Sequence, residues 1–450
     1  MASAAEQLAA NMNVEAFQKA TELHKRLWFT LFALIVYRLG TFIPIPGIDT
    51  AAFAKAFAGQ SKGILGMFDM FSGGAVQRMA IFSLNVMPYI SASIIVQLLG
   101  TVYPPWEKLR KEGGEAGRKQ LNQYTRYLTV LLALVQAFGI AVGLSGSQGL
   151  VVVPASFFIL STVVTLTGGT LFLMWLGEQI TARGVGNGVS LIIFAGIVAR
   201  LPIAAGQLLT FVREGSMSGF LLFAIAVMAV AVIVFIVFME RSQRRLLVIY
   251  PKRQMGNRMF GGESSFLPLK INTSGVIPPI FASSLLLMPQ TAIAFLSRGS
   301  FPAWAQWVPS VAGQLQHGQP TFMVLYAILI IFFCFFYTSV QFNPDETAEN
   351  LRKYGGNLPG IRPGKRTAEY LDYVLTRLTV IGALYITAVC LLPEFLTAQT
   401  SSATYFGGTS ILIVVTVTMD TVAQIQSHLL THQYERLIKK SKLHGGTRNR

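Results

Sequence analysis

Residues 61–100 read SKGILGMFDMFSGGAVQRMAIFSLNVMPYISASIIVQLLG, and they constrain the fold more than any other stretch of the chain. A short apolar run, Ile64 to Phe71, is broken by Ser72-Gly73-Gly74-Ala75. An apolar segment of spanning length follows, from about Met79 to Gly100, with Arg78 at its border. The eight residues of the first run would rise about 12 Å as helix, well short of the ~30 Å hydrocarbon thickness of a bilayer. Backbone that enters a membrane without spanning it is tolerated only inside protein or against a water-filled cavity. A half-helix feeding a spanning helix therefore points to a protein that encloses a cavity. The same pattern also fits a loop lying in the membrane interface.

Composition sets the class. The chain has 450 residues, 52% hydrophobic and only 12% charged, with the apolar residues in blocks. Ten blocks are long enough to span: roughly 27–43, 79–100, 124–144, 155–177, 188–211, 218–238, 274–296, 321–341, 372–393 and 407–426. The first carries Arg38 near its end, and the fifth is rich in Gly and Pro. The largest insert, about 239–273, is too short for a separate soluble domain. The reading is therefore all-α: one polytopic membrane domain over 27–426, a segment 1–26 before it and a basic tail 427–450. Residues 14–26 read as a short amphipathic helix, and nothing before them has the apolar core and cleavage signal of a secretory peptide. Cys334 and Cys390 both fall in spans, which suggests packing rather than a disulfide framework.

The net charge of +16 is unevenly distributed. Of the Lys and Arg residues, 28 lie in or beside the termini and the connections after spans 2, 4, 6 and 8; only 5 lie with the alternate connections. Arg38, Arg78 and Arg377 stand at span edges. This bias predicts both termini on the cytoplasmic side. Two cytoplasmic connections exceed what topology needs. The loop 239–273 carries Arg241, Arg244, Arg245, Lys252, Arg253, Arg258 and Lys270, interleaved with Tyr250 and Phe260. The loop 342–371 has Pro-Gly pairs at 359–360 and 363–364 that hold Arg362 on a tight turn, followed by Lys365 and Arg366. Such loops are either solvated faces or rigid basic protrusions suited to docking an acidic surface, RNA or protein.

The spans hold few groups for chemistry. Glu178 and Asp420 lie toward span ends, and no Asp, Glu, Lys or Arg is read near a midplane. All five histidines lie outside the spans. There is no HExxH, no paired intramembrane carboxylate and no Walker motif, so no catalytic residue, metal site or cofactor is expected. The polar groups inside spans are neutral: Asn85, Ser91, Ser93, Gln97, Gln136, Asn187 and Asn272. Groups of this kind usually bond neighbouring helices. An ion-coupled carrier would need buried ionisable groups at mid-membrane. A ten-helix solute transporter is thus the weaker alternative, and a purely structural scaffold would leave the half-helix unexplained.

Several stretches together resemble one family: FIPIPGID (42–49), MFSGG (70–74), MPYISASIIVQLL (87–99), NQYTRYLT (122–129), FLMWLGEQITARGVGNGVS (172–190), FFCFFYT (332–338), NPDETAENL (343–351), PGIRPGKRTAEYLD (359–372), TRLT (376–379) and YFGGTSILIVV (405–415). The chain resembles the bacterial SecY family, channel subunits of the Sec protein-export translocon, in order over nearly its whole length. The resemblance implies two pseudo-symmetric five-helix halves, about 27–211 and 218–426, around a central pore. It implies a plug at about 62–74, with Ile64, Leu65, Met67, Phe68, Met70 and Phe71. It implies an aliphatic pore ring of Val86, Ile90, Val189, Ile193, Ile280 and Ile413, in which the i, i+4 pairs 86/90 and 189/193 each share a helix face. Two ring positions are Val where the family often has Ile. Polar positions at a lateral gate match Ser91, Gln136 and Asn272, and cytoplasmic docking positions match Arg253, Arg258, Arg362, Lys365 and Arg366. Asn257 replaces one of a basic pair in the 239–273 loop, and Asn85 replaces a usual small residue. The implied activity is passage of unfolded secretory polypeptides across the cytoplasmic membrane, with sideways release of hydrophobic segments into lipid. The implied partners are SecE and SecG, the SecA ATPase, the ribosome through its rRNA and proteins, SecDF and YidC, membrane lipids, and the secretory and membrane-protein substrates themselves.

Overall fold

A computed structural model describes residues 21–60, 69, 71–111, 113–146, 149–215, 218–250, 253–255, 258–260, 264–296, 314, 319–400 and 408–445. Helices dominate. In chain order they are α1 (Thr21–Gly40), α2 (Thr50–Gln60), α3 (Met87–Val102), α4 (Pro104–Lys111), α5 (Gly114–Ser145), α6 (Ala155–Arg183), α7 (Gly188–Arg213) and α8 (Gly219–Arg241). After a strand-rich insert come α9 (Ile277–Leu296), α10 (Pro320–Gln341), α11 (Pro344–Lys353), α12 (Lys365–Thr400) and α13 (Gly408–Gly445). Among the described residues seven helical stretches are long and apolar enough to cross a membrane, and α3 and Ile277–Leu286 are shorter apolar helices. α1 runs unbroken through residues 21–26, which join the first apolar block rather than end before it.

Solvent explains the helix surfaces. α8 is apolar all round yet is hardly buried by the rest of the chain, as expected of a helix whose solvent is lipid. α3, α5, α6, α7 and α1 pack on one another, and α9, α10, α12 and α13 form a second group. The groups meet along two seams: α9 lies against α3 and α5, while α13 lies against α7, α8 and α1. One contiguous apolar cluster runs through both, from Tyr37 and Phe71 to Ile386 and Ile413.

The second apolar block departs from its sequence reading. Its helix begins at Met87, not Met79, and residues 73–86 form turns. Met79 and Asn85 both sit at positive φ, 46° and 49°, a conformation that interrupts any helix through them. Pro88 lies in the first turn of α3, where its missing N–H is not needed. The turn segment is held at its edge by bonds from Ile45 N to Met79 O (2.9 Å) and from Ile81 N to Ile43 O (2.9 Å).

The two basic connections fold together. Strands β1 (Gln243–Ile249) and β4 (Ser264–Lys270) pair antiparallel, and β2 (Arg253–Met255) and β3 (Arg258–Phe260) pair antiparallel in a second two-stranded sheet. Ile249 exchanges backbone bonds with Asn357 at 2.8 and 2.9 Å, which ties this hairpin to the 342–371 loop. Leu246, Val248, Leu269, Ala348, Leu358, Leu371 and Val374 then share a second apolar cluster. α11 starts on a local signal: the Asn343 side chain accepts from Asp345 N (3.1 Å) and Glu346 N (3.4 Å), with Pro344 first in the helix and the acids in its first turn.

A single cluster beneath two loops predicts that they loosen together. Leu371→Ala, at a fully buried position, is expected to cost about 2–5 kcal/mol locally. Hydrogen exchange should then quicken in both 243–249 and 344–358. Faster exchange in only one loop would show that the loops are independent.

Candidate functional site

The six ring positions come from four helix starts. Val86 immediately precedes α3 and bonds back to Ile90 N at 3.0 Å, so the pair keeps its one-turn spacing although Val86 is outside the helix. Val189 and Ile193 occupy the first turns of α7, Ile280 the first turn of α9, and Ile413 the second turn of α13. Val86, Ile90, Ile193, Ile280 and Ile413 are buried in the main apolar cluster, and half-buried Val189 packs against it. The start of α7 is fixed by Asn187, whose side chain accepts from Val189 N at 3.1 Å and Ser190 N at 3.4 Å. Asn187 is thus a helix cap rather than a polar group within a span.

Beside this cluster lies the end of the short apolar run. Ile64, Leu65, Met67, Phe68 and Met70 lie outside the described residues; Phe71 is fully buried. Three successive carbonyls here each accept from a different side chain. Asn85 Nδ2 donates to Phe71 O at 2.6 Å, Tyr37 Oη to Ser72 O at 3.3 Å, and Arg38 Nη1 to Gly73 O at 2.6 Å. This accounts for Asn85. Its tolerance of positive φ and its amide donor are both used, and neither is supplied by an ordinary small side chain. Gly196 of α7 meets the same backbone: a Cβ there would stand 2.4 Å from Phe71 O. The close approach of the Phe71 backbone to the helix explains glycine at that position.

One sequence expectation fails here. Arg200 stands mid-way along α7, at the centre of the fifth apolar block, where no charged residue was expected. It is tolerated because it pairs with Asp69, whose side chain is fully buried. Periodicity could not reveal the pair, since its members sit on different elements far apart in sequence. Glu178, on α6, makes a two-pronged bond with Arg126 at 2.9 and 2.7 Å.

The three gate positions are close to the seam but are not joined to one another by any hydrogen bond among the described residues. Ser91 is buried on α3, and Gln136 on α5 has an unpartnered Oε1. Asn272 is satisfied within its own group: it donates to Glu240 Oε1 (2.5 Å) and Gly275 O (3.2 Å), and accepts from Ser274 Oγ (3.1 Å) and Gly275 N (3.0 Å). It ties the start of α9 to the end of α8. Across the seam, Ser284 Oγ reaches Met87 Sδ at 3.8 Å.

On the second cluster's outer side, Arg362, Lys365 and Arg366 are exposed, with Arg366 3.7 Å from Glu369. Gly360 and Gly364 flank Arg362 at φ 75° and 101°, and Thr367 Oγ1 donates to the Arg362 carbonyl at 3.0 Å, which fixes the turn. Arg253 and Arg258 face each other's strands near the hairpin tip; their side chains and Asn257 lie outside the described residues.

The SecY family model matches residues 80–422. The chain is 55% identical to the protein translocase subunit SecY of Vibrio cholerae over 426 residues, which covers 94% of this chain and 96% of that one. It is 53% identical to the same subunit of Escherichia coli strain K12 over 427 residues, again 94% and 96% of the two chains. Among solved structures, a protein-conducting channel matches with TM-score 0.66 at 18% identity over 95% of both chains. Sec61 from a canine ribosome–channel complex matches with TM-score 0.61, also at 18% identity and 95% coverage of both chains.

Asn85→Ala should be costly, because it strains a left-handed residue and leaves Phe71 O unpaired; about 1–3 kcal/mol is expected. Asn85→Gly should recover the backbone part only. Denaturant titration of the purified protein distinguishes the two, and equal losses would show that the backbone conformation is not part of the cost.

Proposed function

This chain belongs to the SecY family and is a protein-conducting channel of the Sec translocon, a multi-pass membrane protein and not an enzyme; from that premise we propose how its residues divide the task. Val86, Ile90, Val189, Ile193, Ile280 and Ile413 form the constriction. The observation that carries this reading is their gathering, from four helix starts, into one apolar cluster. A narrow apolar collar offers ions no ligands and holds water poorly, yet makes no specific bond to a sliding polypeptide. Residues 62–74 act as the plug on the outer side, anchored through Phe71, Ser72 and Gly73.

Hydrophobic substrate segments leave sideways where α9 meets α3 and α5. Ser91 and Gln136 line that seam, and Asn272 acts there by holding the start of α9. Few polar bonds cross the seam, and membrane-helix bonds contribute only about 0.6–2 kcal/mol each, so an apolar segment can part it. The chain has no nucleotide motif, so the driving energy comes from a docked partner. The platform formed by the two basic loops suits an acidic protein or RNA surface, which supports SecA and the ribosome as partners, with Arg253, Arg258, Arg362, Lys365 and Arg366 as contacts. Sec61 and Ssh1 are ribosome-bound in their own structures. SecE and SecG, with SecDF and YidC, complete the proposed assembly. The charge bias supports cytoplasmic termini in the cytoplasmic (inner) membrane.

Cysteines at the six collar positions should crosslink to a polypeptide arrested in transit. Cysteines at Phe194 and Val414, each rotated by about 100° from a collar position, should not. Crosslinking at all of these positions alike would make the collar ordinary packing.

Arg362→Glu should weaken motor docking by about tenfold or more, the loss expected for one charged hydrogen-bonding group. Protein abundance should hardly change, because the residue is exposed. Unimpaired SecA-driven export in vesicles carrying the variant would remove Arg362 from the docking surface.

A further inference from the structure

Arg200 is unused by the mechanism above. A charged side chain in the middle of a spanning helix is expensive and is retained for a reason, so its partner is informative. Along α7 it lies seven residues, about 10 Å, beyond the collar position Ile193. Its guanidinium pairs with buried Asp69 and also donates from Nη1 to Gln77 Oε1 at 3.3 Å. Gln77 closes the group, because its backbone N donates to Asp69 Oδ1 at 2.8 Å.

Two attachments of different kinds therefore hold this segment. Residues 71–73 are fixed by side chains of α1 and of the turn before α3, bonded to three successive carbonyls. Asp69 lies just before that anchor; its carbonyl accepts from Gly74 N at 3.0 Å and Ser72 Oγ at 3.2 Å, while its carboxylate is held to α7 by charge. The partners differ in access to water. Arg200 keeps 24% of its side-chain surface exposed, whereas Asp69 keeps none. If the segment moves away from α7, Asp69 must reach water or be left as an unpaired buried carboxylate. Separating the pair and moving the segment are thus one event.

We propose that Asp69 and Arg200 form a charge latch that holds the inner end of the plug against α7 and sets how tightly the resting channel is closed. This rests on the reading of residues 62–74 as the plug, and the test separates the two.

Ion conductance of the purified, reconstituted translocon is measured in planar bilayers for Asp69→Asn, Arg200→Gln, Arg200→Lys, the Asp69→Asn/Arg200→Gln double variant, and a channel lacking residues 62–72. The latch predicts a severalfold rise in resting conductance for Asp69→Asn and for Arg200→Gln. It predicts no further rise in the double variant, since either change already removes the pair. Arg200→Lys, which keeps the charge, should stay near the unmodified channel. Asp69→Asn keeps the shape of the side chain, so it reports on charge even if Arg200→Gln assembles poorly. A leaky deletion with tight Asp69→Asn and Arg200→Gln channels would overturn the latch and leave the plug standing. Additive leaks in the double variant, or Arg200→Lys as leaky as Arg200→Gln, would also overturn it. A deletion as tight as the unmodified channel would remove the plug reading itself.

Discussion

Irregular backbone inside a membrane protein must find every hydrogen bond within the protein, and residues 71–86 are the place where this chain meets that demand. The bonds from Asn85, Tyr37 and Arg38 to three neighbouring carbonyls, with the edge bonds to Ile43 and Ile45, supply such partners from within the protein. Much of the rest depends on this. Because the segment is not helical, α3 starts late, and Val86 arrives at a helix start rather than inside a span. Because its backbone lies directly on α7, Gly196 is required there. Val86 and the carbonyls of Phe71, Ser72 and Gly73 are thereby brought together by one stretch of turns.

The two apolar clusters follow from two solvents. The large one lies between helices that otherwise face lipid, and the small one lies under loops that face water. They are joined mechanically. α12 contributes Leu371 and Val374 to the small cluster and Ile386 and Val389 to the large one, within a single helix. The hairpin's last strand ends at Lys270, only a few residues before α9 begins at Ile277, and Asn272 in between is bonded to Glu240. A load applied to the basic platform therefore reaches the seam helix through a short, hydrogen-bonded connection.

Much of the function was legible because its signals are local. Pro-Gly turns act over four residues, whereas Asn187, read as a polar group inside a span, is a helix N-cap. Other features left no such mark. The strands of the 239–273 loop are short and charged, and their apolar faces make sense only against Leu358 and Leu371. Asn272 looked like a polar group facing across the seam, yet its partner Glu240 lies on its own side. Arg200 lies inside the fifth apolar block, and the carboxylate that compensates it, Asp69, is far away in sequence.

By itself, the sequence determined that this is a polytopic helical membrane protein and which loops are basic. Those properties depend on how each segment partitions between water and lipid, and partitioning is summed residue by residue along the chain. Only the tertiary structure decided where α3 begins, why Asn85 is there, how the two loops join and what neutralises Arg200. Each of these is a choice of partner between residues distant in sequence. A hydrogen bond or ion pair over such a separation imposes no period on either segment, so it becomes visible only when the chain has folded.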